Sequence, residues 1–218
     1  MSSPKFTHLH VHSHYSLLDG LAQIGPLLDR VEELGMDAIA LTDHGNLYGA
    51  IEFYKNATKR GIKPILGMEA YVAPNGMENR GAPQDKIRNH LTLLAKNNTG
   101  WHNLIKLATY SSLNGFYYKP RIDDELLEKY SQGIICLSGC FSGELAKNVA
   151  AGKTDAAEET ARRYKNIFGD DFYIELQPHA PQLHSQLAGI AKKYGIPIAA
   201  THDVHYIYKE DKLSLIHI

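Results

Sequence analysis

Histidines recur at every second position near the N-terminus, at His8, His10, His12 and His14. In a β-strand, residues two apart point to the same face, so a strand over residues 5–12 would place these imidazoles in one column. An imidazole column beside a carboxylate, here Asp19, is a common way to hold a transition-metal ion. The leucine and valine between the histidines give the other face apolar side chains to bury. This favours a structural strand with a metal site over an expression tag or a chance run of surface histidines.

Other residues of metal-ligand type follow or interrupt apolar stretches further along the chain: His44, Glu69, His90, Cys140, Asp203 and His205. Glu69 lies within an apolar run, where a buried charge is costly unless it is paired or metal-bound. The Asp-x-His spacing at 203–205 repeats the same-face geometry of the first motif. Cys140 stays open between a ligand and a small buried residue, which is the usual fate of a free cysteine. If His44 is a ligand, its neighbour Asp43 faces the other way and has a structural role.

With His10, His12 and Asp19, the candidates number nine, which is more than one tetrahedral zinc ion uses. Their mixed nitrogen, oxygen and sulfur donors predict a cluster of two or three ions. Clusters of that kind clamp a phosphate group and activate a water molecule, so the predicted reaction is phosphoester hydrolysis. We expect His8 to lie beneath the ligands and His14 to lie outside them.

Apolar and amphipathic stretches alternate through the whole chain. The pattern predicts strands over 5–12, 37–41, 63–72, 90–95, 133–137, 172–176 and 196–201. It predicts helices over 23–34, 47–59, 100–112, 124–130, 142–150, 154–168 (with Thr154 as its cap) and 182–194. Strands separated by helices are typical of parallel βα units in a single domain. A doubly wound sheet fits the same pattern, but only a barrel would gather the metal-type residues at one rim, so we predict a βα-barrel.

Composition narrows the class of protein. The chain has 218 residues and a net charge of -1, so any contact with nucleic acid must come from a local patch. No apolar run is long enough for a transmembrane helix, and the first residues lack the apolar core of a signal peptide. Two cysteines, Cys136 and Cys140, are too few for a disulfide framework and favour a reducing cytosol.

The motifs occur in a recognisable order: His-Leu-His-x-His-x-x-Tyr-Ser-x-Leu-Asp-Gly, Thr-Asp-His-Gly, Gly-Ile-Lys-Pro-Ile-x-Gly-x-Glu-Ala-Tyr, His-Leu-Thr-Leu-Leu-Ala, Ser-Gly-Cys and Asp-x-His. Together they resemble the PHP (polymerase and histidinol phosphatase) family from about Phe6 to Asp211, and most closely the form found in α subunits of bacterial DNA polymerase III. The resemblance implies a distorted seven-stranded (β/α)7 TIM-like barrel that binds up to three divalent ions: zinc, manganese or iron. The ligands it implies are His10, His12, Asp19, His44, Glu69, His90, Cys140, Asp203 and His205.

The resemblance also implies a role in bacterial DNA replication. A metal-dependent 3′–5′ exonuclease acting on the single-stranded 3′ end of DNA is expected, in a cytoplasmic protein with no membrane partner. Its partners would be the remainder of the polymerase III α subunit and other replisome subunits. We assign residues 1–212 to the PHP domain and interpret 213–218, which depart from the family, as the tail of a truncated reading frame. No polymerase active site is expected in this sequence.

The segment 99–124 also resembles the polymerase form. Its Phe116, Tyr117, Tyr118, Lys119 and Arg121 combine stacking surfaces with positive charge, as in contacts to single-stranded DNA. Packing of this loop on the polymerase body explains it equally well.

Two other functions stay open. One is a phosphatase that acts on a small phosphomonoester such as histidinol phosphate. The other is a metal-stabilised scaffold that docks polymerase partners without turnover.

Overall fold

A computed structural model of the chain describes residues 6–215. Within this range the strands are β1 (Ala38–Leu41), β2 (Lys63–Val72), β3 (Asn89–Ala95), β4 (Arg121–Ile122), β5 (Ile134–Leu137), β6 (Phe172–Leu176) and β7 (Ile198–Ala200). The α-helices are α1 (Ile24–Glu33), α2 (Ala50–Lys59), α3 (Asn98–Leu113), α4 (Asp124–Tyr130), α5 (Glu144–Ala150), α6 (Thr154–Phe168) and α7 (His184–Tyr194). Short 3-10 helices cover Pro83–Lys86, Gly169–Asp171, Pro181–Leu183 and Lys209–Leu215. The predicted strand start at Lys5 and the end of the predicted tail, 216–218, lie outside the described residues.

The sheet runs in the order β1-β2-β3-β5-β6-β7, with β4 paired to the end of β2. Strand β3 is antiparallel to both of its neighbours, whereas the other pairs are parallel. The prediction of an all-parallel sheet is therefore wrong at β3. The predicted loop between α3 and α4 also contains the two-residue strand β4, which the sequence pattern did not indicate.

The segment 8–13 closes the ring, but not as the continuous strand that was predicted. On one side Ala40 N donates to His8 O at 2.8 Å, and on the other His12 N donates to Val204 O at 2.8 Å. Only Val11 and Ser13 form bridges, and the chain bends at His10. The seventh position of the barrel is thus an irregular segment, which makes the fold a distorted seven-stranded α/β barrel.

A small apolar cluster forms the floor of this barrel and receives a side chain from every position around the ring. Its members are Leu9, Ala40, Ile65, Leu94, Ile135, Leu137, Tyr173 and Ala199. Two larger clusters cover the outside, one beneath α1 and α2 and the other beneath α3 to α7. The interior is therefore apolar at the floor, which leaves the opposite rim for polar side chains.

Helix starts differ from the predictions where a local hydrogen bond or turn decides them. Helix α3 begins two residues early because the Asn97 side chain accepts a hydrogen bond from Gly100 N at 3.1 Å. Helix α6 begins at Thr154 itself and has no side-chain cap, so the predicted cap is wrong. Helix α2 begins three residues late, at Ala50.

Candidate metal centre

All nine predicted ligand side chains come together at one rim of the barrel, and Glu69 lies at the centre of the group. Its Oε1 is 3.1 Å from His10 Nε2 and 3.0 Å from His90 Nδ1. Its Oε2 is 2.6 Å from His44 Nδ1 and 3.7 Å from His12 Nε2. Glu69 is 1% exposed, so this carboxylate is removed from water and faced by four imidazoles.

His90 reaches this rim because β3 is antiparallel. The residue lies at the start of its strand, which in a parallel barrel would be the rim opposite the ends of the other strands. The reversed direction instead pairs His90 with Tyr71, near the end of β2. The antiparallel direction of β3 therefore places His90 at the rim that holds the other ligands. The sequence indicated His90 as a ligand but did not indicate the direction of its strand.

Cys140 follows β5 through a turn that requires glycine. Gly139 has φ +83°, and a Cβ there would lie 2.4 Å from His90 O. The turn brings Cys140 Sγ to 3.5 Å from Glu69 Oε1 and 3.7 Å from His90 Nδ1. Of the two interpretations left open by the sequence, this position favours a residue of the site over a core cysteine.

The remaining predicted ligands form the outer part of the group. Asp203 Oδ1 lies 3.3 Å from both His12 Nε2 and His205 Nδ1. Asp19 Oδ2 lies 3.1 Å from His44 Nε2 and 3.9 Å from His205 Nε2. The Asp19 side chain is 44% exposed, so the cluster opens to solvent on this side.

Several buried atoms of the cluster face each other without hydrogen bonds. Some of these atoms are in ion-pair contact, such as His44 Nδ1 with Glu69 Oε2 at 2.6 Å. Among the described residues, however, the following make no hydrogen bond of normal geometry: His10 Nε2, His12 Nε2, His44 Nδ1, Asp19 Oδ1, Glu69 Oε2 and Asp203 Oδ1. Buried polar groups without partners are rare in proteins, and a missing ion is one of the usual reasons. Three subsets have donor atoms close enough to share an ion: His10–His12–Glu69, His44–Glu69–His90 and His12–His44–His205. The residues therefore fit divalent ions in number, burial and donor type.

The pKa values show how strongly the groups interact. Burial raises the pKa of the Cys140 thiol, and the charge of Glu69 adds to this. Burial lowers the pKa of His12 to about 4, although Asp203 and Glu69 oppose the shift. For His44, burial also acts to lower the pKa, but Asp19 and Glu69 outweigh it and raise the pKa to about 9. A bound cation would reverse this balance and favour the thiolate and the neutral imidazoles.

A layer of polar residues beneath the cluster was not found from the sequence. His10 Nδ1 lies 2.8 Å from Glu175 Oε1, an arrangement that leaves His10 Nε2 facing Glu69. The same carboxylate accepts hydrogen bonds from Gln177 Nε2 at 2.8 Å, from Thr201 Oγ1 and from Thr92 Oγ1. Carboxylates behind metal-binding histidines fix the tautomer and orientation of the ring. The signal was present, because Glu175 interrupts an apolar strand just as Glu69 does.

A second support holds His12. Its Nδ1 lies 2.9 Å from Ser16 Oγ, which donates to Asp43 Oδ1 at 2.8 Å. Asp43 also accepts hydrogen bonds from Ser13 N at 2.7 Å and from Ser13 Oγ. The predicted structural role of Asp43, facing away from His44, is confirmed.

His8 does not continue the column of His10 and His12. Its ring packs against Phe6 at 4.9 Å and lies 6.4 Å from His202. The bend at His10 shifts the alternation by one residue, so Leu9 points to the barrel floor and His8 away from it. The predicted place of His8 beneath the ligands is therefore wrong, whereas the expected position of His14 outside the group is correct.

The aromatic loop lies beside the rim, but its residues have different roles. Arg121 is fully buried and donates to the backbone carbonyls of Gly115, Asp85, Met77 and Asn79. The predicted DNA contact by Arg121 does not fit this position, because its guanidinium organises the loop from within. Tyr117 is half-buried beneath Arg121, whereas Tyr118 is exposed and Lys119 is partly so.

A distorted α/β barrel with a buried cluster of imidazoles, carboxylates and a thiol at one rim is the architecture of a metal-binding barrel domain. The family model of the PHP domain matches residues 8–179, and the chain belongs to this family.

The sequence relatives agree with this assignment. The chain is 46% identical to DNA polymerase III subunit alpha of Borreliella burgdorferi over 95% of its length, and 47% identical to that of Thermus aquaticus over 96%. It spans only 18% of either relative, so the similarity is confined to a small part of each. An amidohydrolase structure from Chromobacterium violaceum matches 91% of this chain and 87% of its own, with a TM-score of 0.61 and 15% identity. That likeness concerns the fold alone.

None of the helices within residues 6–215 has both the length and the apolar character needed to span a membrane.

Proposed function

We propose that this chain is the PHP domain of a bacterial replicative polymerase subunit and hydrolyses phosphodiester bonds at the 3′ end of DNA. The observation that carries the proposal is the cluster of nine ligand-type side chains centred on Glu69, in which several buried donor atoms make no hydrogen bond of normal geometry among the described residues. The identity to polymerase III α subunits supports DNA as the substrate. Like its relatives, the chain would act as part of a larger replication assembly.

Two or three divalent ions would be held by His10, His12, Asp19, His44, Glu69, His90, Cys140, Asp203 and His205. When bound, they would supply an activated water and neutralise the phosphate and the leaving oxygen. The donor set, five imidazoles with three carboxylates and a thiol, suits zinc, manganese or iron. The protein would present His10 through Glu175 and His12 through Ser16, so that both Nε2 atoms face the cluster. The solvent-exposed side of the cluster at Asp19 would admit the 3′ end of the DNA strand.

The test compares two products from one preparation. The protein, loaded with Mn²⁺ or Zn²⁺ and assayed for metal content, is given single-stranded DNA with a 5′ label and, separately, histidinol phosphate. We expect stepwise release of mononucleotides from the 3′ end and little free phosphate. Asp203→Ala should abolish the release, whereas Asp170→Ala, at a fully exposed aspartate in the turn after α6, should not.

Other results would contradict the proposal in distinct ways. Release of phosphate from the monoester without DNA cleavage would identify a small-molecule phosphatase. Bound metal without turnover of either substrate would identify a scaffold.

A further inference from the structure

A cleft leads from the metal centre to the aromatic loop. Its volume is about 330 Å³, at the small end of the range for ligand sites. His44 and Gly45 line the end next to the metal centre, and the other walls are formed by Leu17, Asn46, Tyr48, Tyr71, Phe116, Tyr118 and Lys119. A group bound here would lie beside a predicted metal ligand.

Several large aromatic side chains that line the cleft are exposed to solvent. Tyr48 is 68% exposed, Phe116 53% and Tyr118 63%, and Leu17 adjoins them. Single exposed apolar side chains are ordinary, but several lining one hollow indicate a binding site. Flat π surfaces of this kind bind nucleobases by stacking, with little dependence on sequence.

The backbone at Tyr118 adopts an energetically unfavourable conformation. Its φ is 60°, in the left-handed region that non-glycine residues rarely adopt. Tyr117 N donates to Lys119 O at 3.0 Å and closes the turn around Tyr118. The Tyr117 ring meets the Tyr118 ring edge-on at 4.7 Å, and Lys86 Nζ lies 5.4 Å from the Tyr118 centroid. The buried Arg121 fixes the base of the same loop, so Tyr118 is presented by a rigid turn.

Positive charge lies between the aromatic surface and the metal centre. Lys119 Nζ is 5.7 Å from the centroid of the Tyr71 ring, which stacks on His44 at 5.8 Å. An ammonium group here would pair with a nucleotide phosphate that approaches the metals. Because the whole chain carries a net charge of -1, attraction of DNA depends on such local cations.

We propose that this cleft is a subsite for the base of the 3′-terminal nucleotide, stacked on Tyr118 and Phe116, with Lys119 on the neighbouring phosphate. The inference rests on the proposed DNA hydrolase function and adds the recognition of the substrate. It favours DNA over packing against the polymerase body, because a protein surface packed here would cover His44 and the entrance to the metal centre.

The test measures binding separately from cleavage. Fluorescence anisotropy of the Mn²⁺-loaded chain uses single-stranded DNA with phosphorothioate 3′-terminal linkages, with either a normal or an abasic terminal nucleotide. We expect wild type to bind the normal end roughly tenfold more tightly than the abasic end. Tyr118→Ala should remove this preference and leave the abasic affinity unchanged, and Tyr118→Phe should retain it. Lys119→Met should lower the affinity for the normal and the abasic DNA end by the same factor.

Tyr54→Ala is the matched control, since Tyr54 is a half-exposed tyrosine on α2 and lines a different hollow. It should bind both ligands as wild type does. Equal affinity of wild type for the two ends, loss of affinity for both in Tyr118→Ala, or no detectable binding would each overturn the subsite. So would a Tyr118→Ala variant that is impaired only in binding the rest of the polymerase.

The two proposals fail differently. If unmodified DNA is not degraded but the preference for a terminal base depends on Tyr118, the hydrolase proposal fails and the subsite stands. If wild type and Tyr118→Ala release mononucleotides at equal rates and wild type shows no preference for a terminal base, the subsite proposal fails and the hydrolase proposal stands.

Discussion

Two glutamates are buried in the barrel, and their surroundings differ. Glu175 on β6 accepts hydrogen bonds from an imidazole, an amide and two threonine hydroxyls, so the protein itself satisfies the carboxylate. Glu69 on β2 is approached instead by four imidazoles and a thiol, with His44 Nδ1 in an ion pair 2.6 Å from its Oε2. A buried carboxylate needs donors or cations. Protein donors satisfy the Glu175 carboxylate, whereas the surroundings of the Glu69 carboxylate suit bound metal ions.

The charges around the two groups agree with this distinction. Burial acts to raise the pKa of Glu69, but His10 and His90 outweigh it and hold the pKa well below the usual range. In the metal-free protein the histidines therefore take the place of ions as partners of Glu69. Glu175 instead acts through His10, whose ring joins the two carboxylates.

The largest effect is expected from the centre of the cluster. Glu69→Gln removes the charge shared by two of the three candidate ion positions, so the metal content per chain should fall to no more than the ion that His12, His44 and His205 could still hold. DNA hydrolysis should fall by more than the roughly 10–100-fold typical of changes behind the ligands. Elemental analysis and mononucleotide release measure the two effects. A variant that keeps its metal and its activity would show that Glu69 is no more than a structural carboxylate.

The corresponding change beneath the cluster should be milder. Glu175→Gln keeps the shape but places an amide NH₂ near donors, so His10 loses its fixed orientation. Metal affinity or activity should fall by roughly 10–100-fold, with ions still bound at high concentration. Titration with Zn²⁺ against a competing chelator measures this. If Glu175→Gln abolishes metal binding as fully as Glu69→Gln, the distinction between the two glutamates is wrong.

These two residues also show how far the sequence leads. Side-chain type and the two-residue spacing at His10–His12 and Asp203–His205 indicated most members of the cluster, because metal ligands belong to few residue types. The complete set of nine, with Cys140 included, was implied by the resemblance to the PHP family. The spacing did not show that β3 is reversed or that His10 lies at a bend, because both depend on pairing with distant strands. Glu175 was missed although it interrupts an apolar strand, since no second ligand-type residue lies beside it. Arg121 was misjudged because an arginine that binds backbone carbonyls looks, in sequence, like one that binds DNA.

The pH dependence follows from His44, whose pKa is raised to about 9 in the metal-free protein. Because this is above the usual 6.5, the stabilisation from protonated His44 is fully present below pH 6.5 and is lost as the pH rises through 9. Metal binding requires the neutral ring, so it has the opposite dependence. Between pH 8 and pH 7 the apparent metal affinity should fall roughly tenfold from this group alone.

His44→Gln provides the control for this dependence. It should bind metal more weakly at every pH but with a shallower slope between pH 7 and pH 9. An unchanged slope in this variant would assign the titration to another group. Metal-binding isotherms at several pH values distinguish these outcomes.

The smallest expected effect concerns thermal stability. A metal concentration 100 times the dissociation constant stabilises the folded state by about 2.7 kcal/mol. For a chain of this size, removing the metal from wild type should lower the melting temperature by roughly 5–10 °C. Chelator should lower the melting temperature of Glu69→Gln less than that of wild type, because two of its three candidate ion positions have lost a charged ligand. Glu175→Gln should be less stable by about 1–3 kcal/mol in both conditions, because its unsatisfied hydrogen bonds do not involve the ions.

Calorimetry of the three proteins with and without chelator therefore separates a carboxylate that serves the metal from one that serves the fold. A chelator response that is equal in all three would mean that the stabilising ion lies elsewhere in the chain.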